Sequence, residues 1–412
     1  MGRNRQTTGK GNKDNKDKPR SGRDRTGKPK KEEYNTEGGR KQSSVLKRSR
    51  ESRERIRQQS PATRETRTTR TVQERTAGSE SQQREQQLNG GSIVRYFTIV
   101  RHGGITNIRT KFVNELATYC TPRATKKAFE SEDNENFNRY PDVVLHDHSR
   151  VVLKNGPEGS IDYIHASHVK GAEYPMICAQ GPVDASIDSF WMMVVEQNCG
   201  VIVQLCENQE EGREKCADYL PTEPAQFGDV TVTIKEPSHV TVANPSVRRT
   251  LLEASLSNGR SLEVIHLLYD GWPDRDVPLS PAAFRQLRTT VHKIAAARRC
   301  TVLIHCSAGI GRTGTFAAIE MAYRDLIAND REVQMSTIFQ RLRDQRALAI
   351  QTDLQYVFLH RALIDLALEK GRLNRTDKAN GVDQFIKEYE ELVQRKRKAR
   401  RELERRHRRK RE

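Results

Sequence analysis

The stretch CTVLIHCSAGIGRTGTFAAIEMAYRDLI, residues 300–327, constrains this chain more than any other. Thr301 to Ile304 are β-branched or large and bounded by a turn signal, the pattern of a short strand buried on both faces. Ser307 to Gly311 is too small and glycine-rich to extend that strand, and helical spacing sets in from Thr313. Cys306 therefore stands where a strand ends, a loop tightens and a helix starts. Backbone N–H groups and the positive end of a helix dipole converge at such a point. Gly309 and Gly311 permit the dihedrals and close approach that a ring of inward N–H groups needs. The segment Ser307, Ala308, Gly309, Ile310, Gly311 is thus expected to cradle a tetrahedral oxyanion, with Arg312 adding a fork of donors for two of its oxygens. A cysteine at the floor of that cradle is expected to be held as thiolate, facing phosphorus for in-line attack. A nucleotide-binding GxxxxGK loop is excluded, because the lysine is missing.

Displacing an aryl phosphate also needs an acid to protonate the leaving oxygen. YDGWPDRDVP, residues 269–278, offers Asp274 in a turn made by Trp272 and Pro273 and closed by Pro278. A loop outside any periodic element could close over the cradle, exclude water and deliver the proton. The triplet alone is weak, but about thirty residues before C-x5-R it becomes a second half of the same chemistry.

The rest of the chain frames this pair. A formal net charge of +18 is spread unevenly over 412 residues. Residues 1–90 carry net +13 and residues 371–412 net +8, leaving 91–370 at −3. The first 90 residues hold one aromatic, Tyr34, and too little apolar surface to offset the entropy of ordering, so they are expected to be disordered. No apolar segment follows Met1 as a signal peptide would require, and none approaches a membrane span. Seven cysteines without a CxxC pair support neither a disulfide framework nor a zinc site, and no cofactor is expected. From about residue 91, the runs IVRYFTIV, MICAQGPV, DSFWMMVVEQ, GVIVQLC, VTVTI, SLEVIHLLY and CTVLIHC follow one another, and several of them are short and strand-like. They alternate with helical stretches such as PAAFRQLRTTVHKIAAARR and LQYVFLHRALIDLALEKG, which predicts an α/β domain on a mixed sheet.

HCSAGIGRTG and WPD together resemble the cysteine-dependent protein tyrosine phosphatases, and further stretches resemble the tyrosine-specific, non-receptor branch. These are NRYPDVVLHDHSRVVL, DYIHASHVKG, YPMICAQGP, FWMMVVEQ, KCADYLP and QRALAIQTDLQYVF, in the family's order. The resemblance implies a single phosphatase domain over 91–371, a highly twisted mixed sheet flanked by helices. Residues 1–90 would be a disordered basic region and 372–412 a charged helical tail. It implies that Cys306 is the nucleophile, Arg312 the phosphate clamp and Asp274 the general acid and then base. Gln351 would position the hydrolytic water with Gln355 in support, Thr313 would stabilise the departing thiolate, and His305 would help hold the cysteine ionised. Tyr140 and Asp142 would wall a pocket too deep for phosphoserine, and Glu210 and Lys215 would partner the arginine and the acid loop. The resemblance thus implies hydrolysis of phosphotyrosine in proteins by a signalling enzyme, with a phosphotyrosine-binding module of weak turnover as the alternative.

Five positions depart from the family pattern. Asp276 and Leu348 stand where glycine is usual, His165 where asparagine is, and Val195 and Leu220 where tryptophans are. Asp276 is expected to hinder loop closure and Leu348 to crowd Gln351, lowering rate and narrowing substrate choice. The basic ends could contact nucleic acid, anionic lipid or an import receptor, in the cytoplasm or the nucleus.

Overall fold

A computed structural model describes residues 91–154, 161–376 and 381–409. The expected disordered region 1–90 lies outside the described residues, as do 155–160, 377–380 and 410–412. Eleven strands occur in the described residues: β1 (Arg150–Val152), β2 (Tyr163–Val169), β3 (Met176–Ala179), β4 (Val201–Gln204), β5 (Gln209–Glu210), β6 (Arg213–Glu214), β7 (Ala225–Phe227), β8 (Val230–Thr241), β9 (Asn244–Leu256), β10 (Ser261–Tyr269) and β11 (Val302–His305). Nine of them form one mixed sheet in the order β1-β2-β3-β11-β4-β10-β9-β8-β7, and β5 with β6 makes a separate hairpin. The four central strands β3, β11, β4 and β10 run parallel, with Ile304 level with Cys178 on one side and Val203 on the other. Every residue of β3, β4 and β11 is buried, as parallel strands covered on both faces require. The outer strands are antiparallel.

The longer helices are α1 (Ser92–Lys111), α2 (Ile187–Glu196), α3 (Pro281–Arg298), α4 (Arg312–Ala322), α5 (Met335–Gln345), α6 (Asp353–Glu369) and α7 (Val382–Arg409). All eleven residues of α4 are buried, making it the hub of the helical layer. Sequence boundaries are marked by local chemistry. Ser280 Oγ accepts from the Ala283 amide with Pro281 opening α3, and Thr352 and Gln355 make a reciprocal capping box at the start of α6.

The run IVRYFTIV, which opens this series of apolar runs, is helical. Ile93, Phe97 and Val100 recur at helical spacing and are buried along α1, so three- and four-residue periodicity overrides the β-branched content. At the other end of the chain, Phe385, Ile386, Tyr389, Leu392 and Val393 form one buried stripe of α7. Phe385 meets Phe97 edge-on at 5.9 Å, and Tyr389 lies 6.4 Å from Phe358. The basic tail therefore begins as a packed helix of the same compact unit.

Candidate active site

All four central strands point the same way, so their carboxyl ends open on one edge, where α/β sheets bind ligands. β11 delivers Cys306, β3 delivers Gln180 and Gly181, β4 leads to Glu210, and β10 leads to Trp272 and Asp274. The loop after Cys306 is held open by its carbonyls. Gly181 N donates to Ser307 O (2.8 Å), Arg346 donates to Ala308 O and Gly309 O (both 3.1 Å), and Ile350 N donates to Ile310 O (2.9 Å). With the carbonyls drawn outward, the amides of Ser307 to Gly311 find no acceptor among the described residues. Five successive amides left free in one loop are the geometry that an anion-binding nest requires. Gly309 is obligatory within it: its φ is +67°, and a Cβ there would stand 2.0 Å from Ala179 O.

Arg312, 1 % exposed, opens α4 and faces three groups. Its two terminal nitrogens donate to Glu210 Oε1 and Oε2 at 2.5 and 2.9 Å. They also reach Trp272 O at 3.0 Å and Asp274 Oδ1 at 3.5 Å. Burial opposes its charge, but the Glu210 hydrogen bonds and the surrounding anionic groups outweigh this and raise its pKa. Asp274 Oδ2 accepts from Lys215 Nζ at 2.9 Å. Burial would raise the Asp274 carboxyl, yet Lys215 and Arg312 together hold it below the usual carboxylate value. The acid loop thus sits over the cradle, its carboxylate balanced between two cations.

Tyr140 OH bonds Ser307 Oγ at 2.8 Å, so its ring walls the cradle. Neighbouring Arg139 fixes this wall by donating to Gly181 O (2.9 Å) and Pro182 O (2.6 Å) at the end of β3. Asp142 is exposed beyond it. On the far side, Gln351 Oε1 and Gln355 Nε2 lie 3.0 and 3.1 Å from where a Cβ on Gly311 would be. Gln355 Oε1 accepts from the Gln351 and Thr352 amides (3.0 and 3.3 Å). Its Nε2 and the Thr313 hydroxyl are both buried with no partner among the described residues. These sites are close to the cradle and chemically unspent.

His305, at the end of β11, is fully buried. Burial pushes its imidazole down to about 4. A neutral ring with the proton on Nδ1 fits both contacts: Nδ1 donates to Cys306 O at 3.3 Å, and Nε2 accepts from Tyr219 OH at 2.7 Å. The hydroxyl of Tyr219 also meets His266 and Gln204, so His305 belongs to a neutral buried network beneath the cysteine. Burial likewise drives the Cys178 and Cys216 thiols up to about 12, which leaves them unreactive.

Sequence reasoning passed over Arg346. Buried at 1 % exposure, it ties the cradle carbonyls to β2 through His165 Nδ1 (3.1 Å) and Ser167 Oγ (3.4 Å). Burial pushes its guanidinium down to about 10, still charged at neutral pH. Its only sequence signal is position between α5 and the QTDLQ segment, because a carbonyl clamp has no motif. His165 passes the link on, its Nε2 donating to Val143 O at 2.8 Å beside the Tyr140 loop. Two other departures also gain an account. The positive φ in the acid loop falls on Arg275 (54°) rather than Asp276, so Asp276 bears no backbone strain. Leu348 does adopt a positive φ of 59°, followed by Ile350 at 62°, conformations costing of order 1–3 kcal/mol each at the entry to Gln351.

Residues 134–365, more than half of the chain, match the family model described as protein-tyrosine phosphatase. Human receptor-type tyrosine-protein phosphatase C is 36 % identical over 239 residues, covering 56 % of this chain and 18 % of that protein. A Lar-like tyrosine-protein phosphatase of Caenorhabditis elegans is 37 % identical over 237 residues, 56 % of this chain and 10 % of its own. Human tyrosine-protein phosphatase non-receptor type 12 is 34 % identical over 280 residues, 64 % of this chain and 35 % of its own. The match spans less than a fifth of the first curated relatives. A solved structure concerning the fingerprint of PTPN18 on distinct HER2 tyrosine phosphorylation sites aligns with a TM-score of 0.55 at 26 % identity. It covers 64 % of this chain and 92 % of that one.

Proposed function

Because this chain belongs to the protein-tyrosine phosphatase family, we propose that it hydrolyses phosphotyrosine in proteins through a phosphocysteine formed at Cys306. The observation that carries the proposal is the convergence of Arg312 and Asp274, 3.5 Å apart, on the nest that closes over Cys306. Phosphate seated on the amides of Ser307 to Gly311 would take up the Arg312 fork, which Glu210 orients from behind. The sulfur, as thiolate, attacks phosphorus in line; the P–O bond to the tyrosyl oxygen breaks, and Asp274 gives that oxygen a proton. Water held by Gln351, with Gln355 supporting, then attacks the phosphocysteine. Asp274 takes its proton, inorganic phosphate forms, and the sulfur leaves towards the unpartnered hydroxyl of Thr313. His305 would orient the Cys306 carbonyl rather than supply charge. The Tyr140 ring sets a depth that an aryl phosphate spans and phosphoserine does not, with exposed Asp142 meeting the substrate backbone.

Asp274 must be protonated to act, whereas in the resting site Lys215 and Arg312 hold it ionised. A bound phosphate dianion satisfies both cations and repels the carboxylate, raising its pKa in the complex. As pH rises through that value the acid form is lost, so kcat on a phosphotyrosyl peptide should fall. Asp274→Asn is expected to lower kcat by about 10²–10⁴-fold and to flatten this basic limb. A limb that persists in the variant contradicts the assignment, and equal turnover of a phosphoseryl peptide contradicts the pocket-depth argument.

Among the described residues no helix is long and apolar enough to cross a membrane. We further propose that the basic ends direct the protein electrostatically to nucleic acid, anionic lipid or an import receptor, in the cytoplasm or nucleus. Unchanged distribution of a fusion whose basic residues in 1–90 are neutralised would argue against this.

A further inference from the structure

The apolar stripe of α7 does not end where its core contacts end. Tyr389, Val393, Arg397 and Arg400 follow at intervals of four, four and three, so the face that buries Tyr389 and Val393 continues as arginine. This basic continuation lies across the acid loop. Arg397 Nε donates to Asp276 Oδ2 at 2.9 Å, and its terminal nitrogen donates to Val277 O at 3.0 Å. Arg400 donates to the backbone carbonyl of Asp274 itself at 3.0 Å and to Glu211 Oε1 at 2.5 Å. Glu211 adjoins Glu210, the partner of Arg312, so Arg400 ties the acid loop to the hairpin that orients the phosphate clamp. From Asp276 the connection runs inward: Trp272 Nε1 donates to Asp276 O at 2.7 Å, and Trp272 O accepts from Arg312 at 3.0 Å.

We propose that α7 is a built-in clamp on the acid loop, with Arg397 and Arg400 as positioning residues that hold Asp274 over the cradle. The inference rests on the phosphatase reading and names what keeps its acid in place. Asp276 is the anchor. A glycine there would offer Arg397 no acceptor, whereas the aspartate, 8 % exposed, gives a partly buried charged hydrogen bond beyond the backbone contact. A loop without periodic structure would otherwise sample open states, and two guanidiniums fixed to a packed helix bias it towards the closed one.

Leaving-group chemistry separates this role from simple stability. A phosphotyrosyl peptide departs as a phenol of pKa about 10 and needs the proton from Asp274. Dinitrophenyl phosphate departs as a stable anion and does not. In the full chain, Arg397→Met and Arg400→Met are each expected to lower kcat/KM on the peptide about tenfold or more while changing kcat/KM on dinitrophenyl phosphate less than about twofold, because kcat/KM reports leaving-group departure and not the later hydrolysis in which Asp274 acts as base. Asp276→Asn should give the same pattern and add little to Arg397→Met, since both remove one contact. Arg397→Lys should recover part of the loss. If one arginine variant fails to fold, judged by its thermal melt, the other carries the test. Unchanged peptide turnover, a gain, or parallel losses on both substrates would overturn the clamp. Hydrolysis of neither substrate by the unaltered protein, or equal hydrolysis by Cys306→Ser, would instead overturn the phosphatase reading.

Discussion

Arg312→Lys is expected to lower kcat/KM on a phosphotyrosyl peptide by roughly 10³–10⁵-fold, the range for arginines that stabilise a transferring phosphoryl group. Such a loss is about 4–7 kcal/mol of transition-state stabilisation. Three features make the lysine a poor substitute. Arg312 holds both oxygens of Glu210 at 2.5 and 2.9 Å while presenting the rest of its fork to Trp272 O and Asp274. An ammonium is a point charge that cannot satisfy those acceptors and two phosphate oxygens at once. The site is also buried, with Arg312 1 % exposed, so water cannot complete the missing contacts. Initial-rate kinetics check the expectation. A loss under tenfold would mean that the amide nest alone carries the phosphate.

Gly309→Ala should be the most damaging change that leaves every reacting group in place. The new Cβ would lie 2.0 Å from Ala179 O and 2.7 Å from Gln180 N, both backbone atoms at the end of β3. It would also occupy φ +67°, which costs a side-chain-bearing residue roughly 1–2 kcal/mol before any clash is counted. Overpacking of this kind adds about 1–3 kcal/mol. Either β3 or the cradle must move, and about 1 Å of misplacement at a reacting centre lowers rates by around 10²-fold. We expect a lower melting temperature together with at least that loss of kcat. Gly311→Ala provides the contrast, because its Cβ would meet only side-chain ends, Gln351 Oε1 at 3.0 Å and Gln355 Nε2 at 3.1 Å. That variant should fold normally and slow breakdown of the phosphocysteine. Equal stability losses in the two variants would show that the β3 contact is not the deciding one.

Much of this site was legible because its chemistry is local in sequence. The apolar run before Cys306, the glycines and Arg312 lie within one strand–loop–helix segment, and the structure closes that segment as β11, a nest and α4. The Asp274 turn was equally legible, since proline and tryptophan punctuate it. What remained hidden was long-range. Arg346 acts through carbonyls 37 and 38 residues earlier, and any residue type can supply a carbonyl. The contact between Arg397 and Asp276 spans 121 residues, so a charged tail and a non-glycine in the acid loop looked like two unrelated oddities. In α1, short β-branched runs masked a helix whose packing against α7 and α6 exists only in the assembled fold. Leu348 was read by its side chain, whereas its positive φ of 59° shows the strain to be in the backbone.

The covalent step proposed at Cys306 admits a direct measurement. Rapid acid quenching of the Gln351→Ala variant during turnover of a phosphotyrosyl peptide, followed by mass analysis of its proteolytic fragments, should find one phosphoryl group on the fragment containing Cys306. The same quench of Cys306→Ser should find none, with turnover lost. Undiminished hydrolysis in Cys306→Ser, or phosphate attached to another residue while Cys306 stays unmodified, would contradict the account.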